Sequence, residues 1–134
     1  MKNFVSKNQK TGELGEDIAV RFLMKHGYEI LERNYTRKWG ELDIVAIKDN
    51  VYYFVEVKSV IVPPDVLNEK SSGTFFRPEE NMHHYKIIRL RKIIETFLLS
   101  RRLGGVEWHL NLLLVYIDII NKKARVRTVD NIIV

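Results

Sequence analysis

The chain contains no cysteine. Disulfide bridges and thiolate metal centres are therefore excluded, which fits a cytoplasmic location. It has no apolar run long enough to span a bilayer, so no membrane association is expected. A secretory signal is also missing, because Lys7 and Lys10 follow Phe4-Val5 too closely for an apolar core to form. No Gly-x-x-x-x-Gly-Lys phosphate loop occurs, which argues against an NTPase or any other use of a nucleotide cofactor. No histidine–carboxylate–nucleophile pattern points to acyl transfer.

What remains is an ordinary globular composition. The 134 residues are 46% hydrophobic and 29% charged, enough for one domain, residues 1–134, around a single core. The net charge is +5. The excess lies mostly in the second half, and modest basicity of this kind favours a polyanionic partner.

The chain is organised around residues 40–59. Two runs rich in β-branched and aromatic residues flank Lys48-Asp49-Asn50-Val51. Such runs favour strands, and Asp49-Asn50 tolerates the positive φ of a two-residue hairpin turn. The turn sets a register in which Lys48 faces Val51, Asp43 faces Glu56 and Glu41 faces Lys58. Paired residues share a face, so these two carboxylate pairings gather Glu41, Asp43, Glu56 and Lys58 on one side. Val45, Ile47, Tyr52 and Phe54 continue that face, and Leu42, Ile44, Ala46, Val51, Tyr53, Val55 and Val57 form the other. Both look buried, as in a sheet covered by helices. Three carboxylates and a lysine at a buried strand end must pair or hold a cation. One reading is a Glu41–Lys58 salt-bridge ladder. The other is an oxygen-ligand site for Mg²⁺ with a phosphate substrate, the lysine orienting the nucleophile.

Elsewhere the chain reads as follows. Residues 1–10 form a flexible arm. Thr11 caps a helix that runs to about Lys25, with Gly27 just past its end and Leu14, Ile18, Ala19 and Phe22 as its apolar stripe. Gly12 and Gly15 allow it to approach the sheet closely. Glu16, at the border of the stripe, can reach along the sheet or serve as a first-turn acid. Tyr28–Thr36 is a strand. Arg37-Lys38-Trp39-Gly40 is a basic turn in which Arg37 and Lys38 could contact phosphate; Trp39 could stack on a base or pack at the sheet edge. Residues 60–77 form a long loop containing Pro63-Pro64 and Phe75-Phe76. Pro78 starts a second helix that Gly104-Gly105 ends near Arg102, with Ile87, Leu90, Ile94, Phe97 and Leu98 buried. Lys86 borders that stripe, whereas Arg89 and Lys92 point away, as a solvated or phosphate-tracking face. His83 and His84 are adjacent and cannot both face one metal from a helix. Residues 108–119 and 124–130 are two more strands. The order α-β-β-β-α-β-β implies an α/β sandwich around a mixed sheet.

Gly12-Glu13-Leu14-Gly15-Glu16, Gly27 to Asn34, Gly40-Glu41-Leu42-Asp43 and Phe54-Val55-Glu56-Val57-Lys58 occur in order. This set resembles the YraN-like family, and Asp43 with Glu56-Val57-Lys58 resembles the D…(D/E)xK signature of the PD-(D/E)xK nucleases. The resemblance implies a restriction-endonuclease-like three-layer sandwich, a central mixed β-sheet flanked by helices. It also implies a Mg²⁺- or Mn²⁺-dependent, Holliday-junction-resolvase-like endonuclease acting on DNA, probed most directly on branched substrates. Asp43 and Glu56 would then ligate metal with the Val57 carbonyl, Glu16 would complete the site, and Lys58 would position the attacking water. Glu41 and Lys86 are secondary candidates, a homodimer is expected by analogy, and by charge and position Arg37, Lys38, Lys86, Arg89 and Lys92 are the candidate DNA contacts. One departure stands out: where the family usually has Arg-Phe-Asp, this chain has Asn111-Leu112-Leu113. A nucleic-acid-binding module with little catalysis, or a protein-interaction domain using the 60–77 loop, are the alternatives.

Overall fold

In the computed structural model, residues 7–68 and 84–132 are described. Their elements are α1 (Lys7–Lys25), β1 (Glu29–Arg37), β2 (Gly40–Lys48), β3 (Val51–Ile61), α2 (His84–Ser100), β4 (Trp108–Asp118) and β5 (Lys123–Val129). The expected order α-β-β-β-α-β-β is observed. The five strands form one sheet in the order β1-β2-β3-β4-β5. Only the β3/β4 pair is parallel, so the sheet is mixed.

The hairpin turn forms as its residues predict. Asp49 and Asn50 both take positive φ, 51° and 65°, the left-handed pair of a tight primed turn. The resulting register runs from Lys48↔Val51 through Ile44↔Val55. One face of this hairpin, with Val45 and Phe54, packs against Leu90, Ile93, Ile94 and Phe97 of α2. The other, with Ile44, Ala46 and Val55, packs against Ala19 and Leu23 of α1. A helix on each face of the sheet gives the three-layer sandwich, and the apolar character of both strand faces is accounted for.

Several local expectations are corrected. Helix α1 begins at Lys7, so residues 7–10 are helical rather than part of an arm, and Thr11 lies within the helix instead of capping it. Glu16 is consequently mid-helix and is no first-turn acid. Leu14 is 44% exposed, whereas Leu23 is buried; the buried stripe lies further along the helix than the sequence pattern suggests. Gly12 has open space around it, and Gly15 alone makes the close approach, against Ser59 of β3. The α1 C-terminus is as expected. Gly27 takes φ 90°, its N–H donates to Met24 O and that of Tyr28 donates to Leu23 O.

On α2, Ile93 joins the stripe, fully buried. Its stop is Arg102, which takes φ 55°, while the Leu103 N–H donates to Leu98 O. The left-handed residue after the helix is thus an arginine, two positions before Gly104. Residues 78–83, with the expected Pro78 start and His83, lie outside the described residues. Val60 and Ile61, assigned to a loop from sequence, extend β3 and pair with Tyr116 and Ile117. The chain then turns at Pro63-Pro64 into a short 3-10 segment, Val66–Asn68, which buries Leu67 against Leu112, Leu114 and Tyr116. Phe75-Phe76 lies outside the described residues. Among the described residues no helix is long and apolar enough to cross a membrane.

Candidate active site

Strands β2 and β3 part at Asp43. Regular ladder pairing ends at Ile44↔Val55, one step short of Asp43 and Glu56, so neither the Asp43–Glu56 nor the Glu41–Lys58 pair is part of the ladder, though Asp43 and Glu56 lie side by side. Beyond that point β2 stays with β1, through Leu42↔Tyr35 and Glu41↔Thr36, while β3 stays with β4 as far as Ile61. The Asp43 carboxylate bridges the gap. Its Oδ2 accepts the Val57 N–H at 2.9 Å, satisfying an amide that would otherwise face the parted strands. A side chain thus replaces a ladder bond where the strands separate.

The separation opens a cleft of about 570 Å³. Asp43 and Glu56 line it together with Glu41, the β1–β2 turn Thr36 to Gly40, and Lys86, Arg89 and Leu90 from α2. Glu56 is buried, 4% exposed, and its Oε1 has no hydrogen-bond partner among the described residues. Its Oε2 lies 3.8 Å from the Lys86 ammonium. Burial drives the Glu56 carboxyl well above its ordinary range; the Asp43 charge adds to the rise and Lys86 opposes it. An orphaned oxygen on a buried acid beside a second acid is an arrangement that a folded chain tolerates poorly without a cation or a shared proton.

Glu16 reaches the same end of the sheet from α1. Its Oε1 accepts the Arg33 Nε–H at 3.3 Å and the Asn34 amide at 3.0 Å, both from β1. Asn34 takes φ 54° to present that amide. Burial pushes the Glu16 carboxyl above its ordinary range, the bond from Arg33 acts against this, and the Asp43 charge adds to it. Glu16 is therefore in the field of Asp43 but held from the β1 side, and it is not among the cleft-lining residues.

The four-residue polar cluster expected from register is divided. Asp43, Glu56 and Glu41 share the cleft. Lys58 is exposed on β3 and does not line it, and no Glu41–Lys58 ion pair forms among the described residues. Arg37 and Lys38 line the cleft as expected. Arg89, expected to point away, lines it too, because α2 crosses over the β1–β2 turn. Lys92 is exposed and stands outside. Trp39 is 42% exposed and lines the cleft, its Nε1–H donating to Thr96 Oγ1 at 3.1 Å. Arg33, Asn34, Thr36 and Thr96 were not singled out by pattern. Arg33-Asn34 stood within the string that carried the family resemblance, and that was the one available signal.

The donor set suits a hard cation in part. Two carboxylates and a backbone carbonyl are oxygen ligands of the kind Mg²⁺ takes, and Mg²⁺ commonly keeps several waters in place of protein ligands. Among the described residues no three Asp, Glu or His side chains converge to form a cage by themselves. The fit is that of an open site with the Asp43–Glu56 pair as its anchor.

Asn111, at the position of the departed family motif, is buried and structural. Its Oδ1 accepts the Asn131 N–H at 3.0 Å, tying down the chain after β5. Asp118 is also structural: it accepts the N–H groups of Asp65 and Asn121 and the Asn121 amide. Neither replaces a cleft carboxylate.

Fold and cleft together define an α/β sandwich with an acidic pair at the point where two central strands diverge. The chain belongs to the family described as "Uncharacterised protein family UPF0102", which matches residues 15–130, as the YraN-like motif set implied. Among its relatives, the UPF0102 protein of Alkaliphilus oremlandii is 36% identical over 124 residues, covering 92% of this chain and 97% of that protein. That of Moorella thermoacetica is 36% identical over 110 residues, 82% of this chain and 83% of the relative. That of Helicobacter hepaticus is 40% identical over 92 residues, 69% and 72% of the two chains.

Proposed function

We propose that this chain is a divalent-metal-dependent endonuclease that hydrolyses phosphodiester bonds in DNA. The observation that carries the reading is the buried Glu56 carboxylate, one of whose oxygens has no hydrogen-bond partner among the described residues, beside Asp43 at the base of a cleft walled by Arg37, Lys38, Lys86 and Arg89. Acids at the base and cations at the wall suit a metal and the phosphate it activates.

Asp43, Glu56 and the Val57 carbonyl would hold Mg²⁺ or Mn²⁺, with Glu16 as a further carboxylate. When bound, the ion would lower the pKa of a water and offset charge on the phosphate. The remaining roles fall to the chain itself. Asp43 keeps its geometry through the Val57 N–H, which fixes one of its carboxylate oxygens. Lys86 offsets the Glu56 charge before any ion arrives. Arg37, Lys38 and Arg89 bind the phosphodiester backbone. Lys58, by resemblance the residue that orients the nucleophile, is exposed on β3 and does not line the cleft.

That position of Lys58, with no three-acid cage among the described residues, favours a second reading: a DNA-binding module of the same fold with little catalysis. One assay separates the two. Labelled four-way junction, flap, splayed-arm, single-stranded and duplex DNA are incubated with Mg²⁺ or Mn²⁺ and wild type, Asp43→Asn or Lys58→Ala. Nuclease activity is expected to vanish in both variants while DNA binding persists. Binding by all three proteins with no cutting of any substrate would leave the binding module standing. A homodimer, the arrangement that paired incisions across a junction require, is expected from sedimentation of the wild type with junction DNA.

A further inference from the structure

We infer that Trp39 is a stacking platform for an unpaired base, so that the cleft takes a single-stranded or branched DNA segment in preference to continuous duplex. This deepens the endonuclease reading and rests on its DNA-binding part, though not on catalysis.

Trp39 sits in the turn between β1 and β2, at the wall of the cleft that holds Asp43 and Glu56. The largest apolar side chain in the repertoire is left 42% exposed there. The other tryptophan, Trp108, is only partly buried and packs edge-on against Phe54, with ring centroids 5.6 Å apart.

The ring is also fixed. The indole has one polar hydrogen, and it is spent on Thr96 Oγ1 at 3.1 Å. The Thr96 hydroxyl in turn donates to Lys92 O at 2.9 Å, so its own hydrogen is committed and its lone pair faces the indole. This chain of bonds ties the turn to α2 and holds the ring at the cleft without burying it. An aromatic face held rigidly loses little entropy on stacking. It has no polar hydrogen left with which to read a base edge, so its remaining use is its π-face.

The surroundings select the ligand. Arg37 and Lys38 precede Trp39 on the same turn, and Lys86 and Arg89 face them from α2. An aromatic face among cations that track phosphates is the arrangement that binds single strands irrespective of sequence. A base inside a duplex has both faces covered by its neighbours. One freed from its stack, as in a single strand or at a branch, can lie on the indole while its phosphate reaches the carboxylates.

The test measures binding in EDTA, where hydrolysis cannot intervene. Fluorescein-labelled oligothymidylate, an abasic strand of the same length and a duplex are titrated by anisotropy, with tryptophan emission followed in parallel. Wild type is expected to bind oligothymidylate about tenfold more tightly than the abasic strand, with quenching of Trp39. Trp39→Ala should remove that difference and leave abasic binding unchanged. Trp39→Phe should retain part of it. Thr96→Val, which keeps the ring but frees it, should lose a few-fold. Arg89→Ala should weaken both strands alike. Equal wild-type affinity for the base-bearing and abasic strands overturns the stacking platform while leaving phosphate binding intact. So does equal loss on both strands in Trp39→Ala. Absence of DNA binding in EDTA overturns the stacking platform, and cleavage of the panel in Mg²⁺ or Mn²⁺ still decides the endonuclease reading separately.

Discussion

The Lys86 ammonium stands 3.8 Å from Glu56 Oε2, a cation half in solvent beside an acid almost wholly out of it. The asymmetry decides what the pair is worth. Lys86 loses little hydration, so the ion pair offsets only part of the desolvation of Glu56, whose carboxyl stays well above its ordinary range. Removing the cation by Lys86→Met should push that carboxyl still higher. Stability should fall by about 1 kcal/mol at alkaline pH, the scale of a solvent-screened pair, and hardly change at pH values where Glu56 is protonated in both states. Urea unfolding at several pH values measures this, and a loss independent of pH would mean that Lys86 acts through packing.

Glu56 itself should be a stability cost. A carboxyl whose pKa is raised on folding binds more protons in the folded state than in the unfolded one between the two pKa values. Stability therefore declines as pH rises through that window, starting from the ordinary carboxylate range. Glu56→Gln keeps the shape and removes the titration. The variant should be the more stable protein at alkaline pH, on the order of 1–3 kcal/mol, with a flatter pH profile. Mg²⁺ or Mn²⁺ should raise the melting temperature of wild type and not of the variant. A variant less stable than wild type across the alkaline range would contradict the strained-site interpretation.

How much of this was legible from sequence depends on the range of the interaction. The β2–β3 hairpin was legible because the turn residues and both strands are contiguous, and Asp49-Asn50 sets the register unaided. The sandwich followed from strands apolar on both faces. The cleft was legible only in part. Counting outward from the turn placed Asp43 and Glu56 together, and they do share a cavity, but it also assumed that pairing continues to Glu41 and Lys58. Pairing stops because the Asp43 side chain takes the Val57 amide, a side-chain-to-backbone bond that no periodicity encodes. Arg89 entered the cleft for a comparable reason, since its place depends on how α2 sits on the sheet. Hydrophobic pattern fixed which elements exist, whereas tertiary approach fixed which polar groups meet.

Asp118 provides a pH dependence of opposite sign. Hydrogen bonds from Asn121, and then from the Asp65 N–H, hold its carboxyl below the ordinary range. A depressed pKa contributes stability that is present above the unfolded value and lost as pH falls toward the folded one. Asp118→Ala should therefore melt earlier than wild type at neutral pH, with the gap narrowing in acid. Because Asp118 ties Asp65 to the β4–β5 turn, amide exchange at Asp65 and Asn121 should speed up in the variant while exchange around Val57 stays slow. Faster exchange at Val57 would show that the latch and the cleft are coupled.

Gly15 is where α1 meets the sheet most closely, and only glycine fits. A Cβ built there would lie 1.6 Å from Ser59 Oγ and 2.7 Å from Ser59 Cβ. The hydroxyl can rotate away, but the Cβ is fixed to the strand, so Gly15→Ala must push the helix off β3 despite the better helix propensity of alanine. The variant should lose about 1–3 kcal/mol by urea unfolding. Ser59→Ala should rescue little, since the offending Cβ remains. Ser59→Gly in the same chain should restore most of the loss beyond the strand penalty that glycine brings by itself, a coupling that a double-mutant cycle reads directly. Glu16 follows Gly15 on the helix, so displacement of α1 should also lengthen its bonds to Arg33 and Asn34. Additivity of the two substitutions would place the helix further from β3 than the Gly15–Ser59 approach requires.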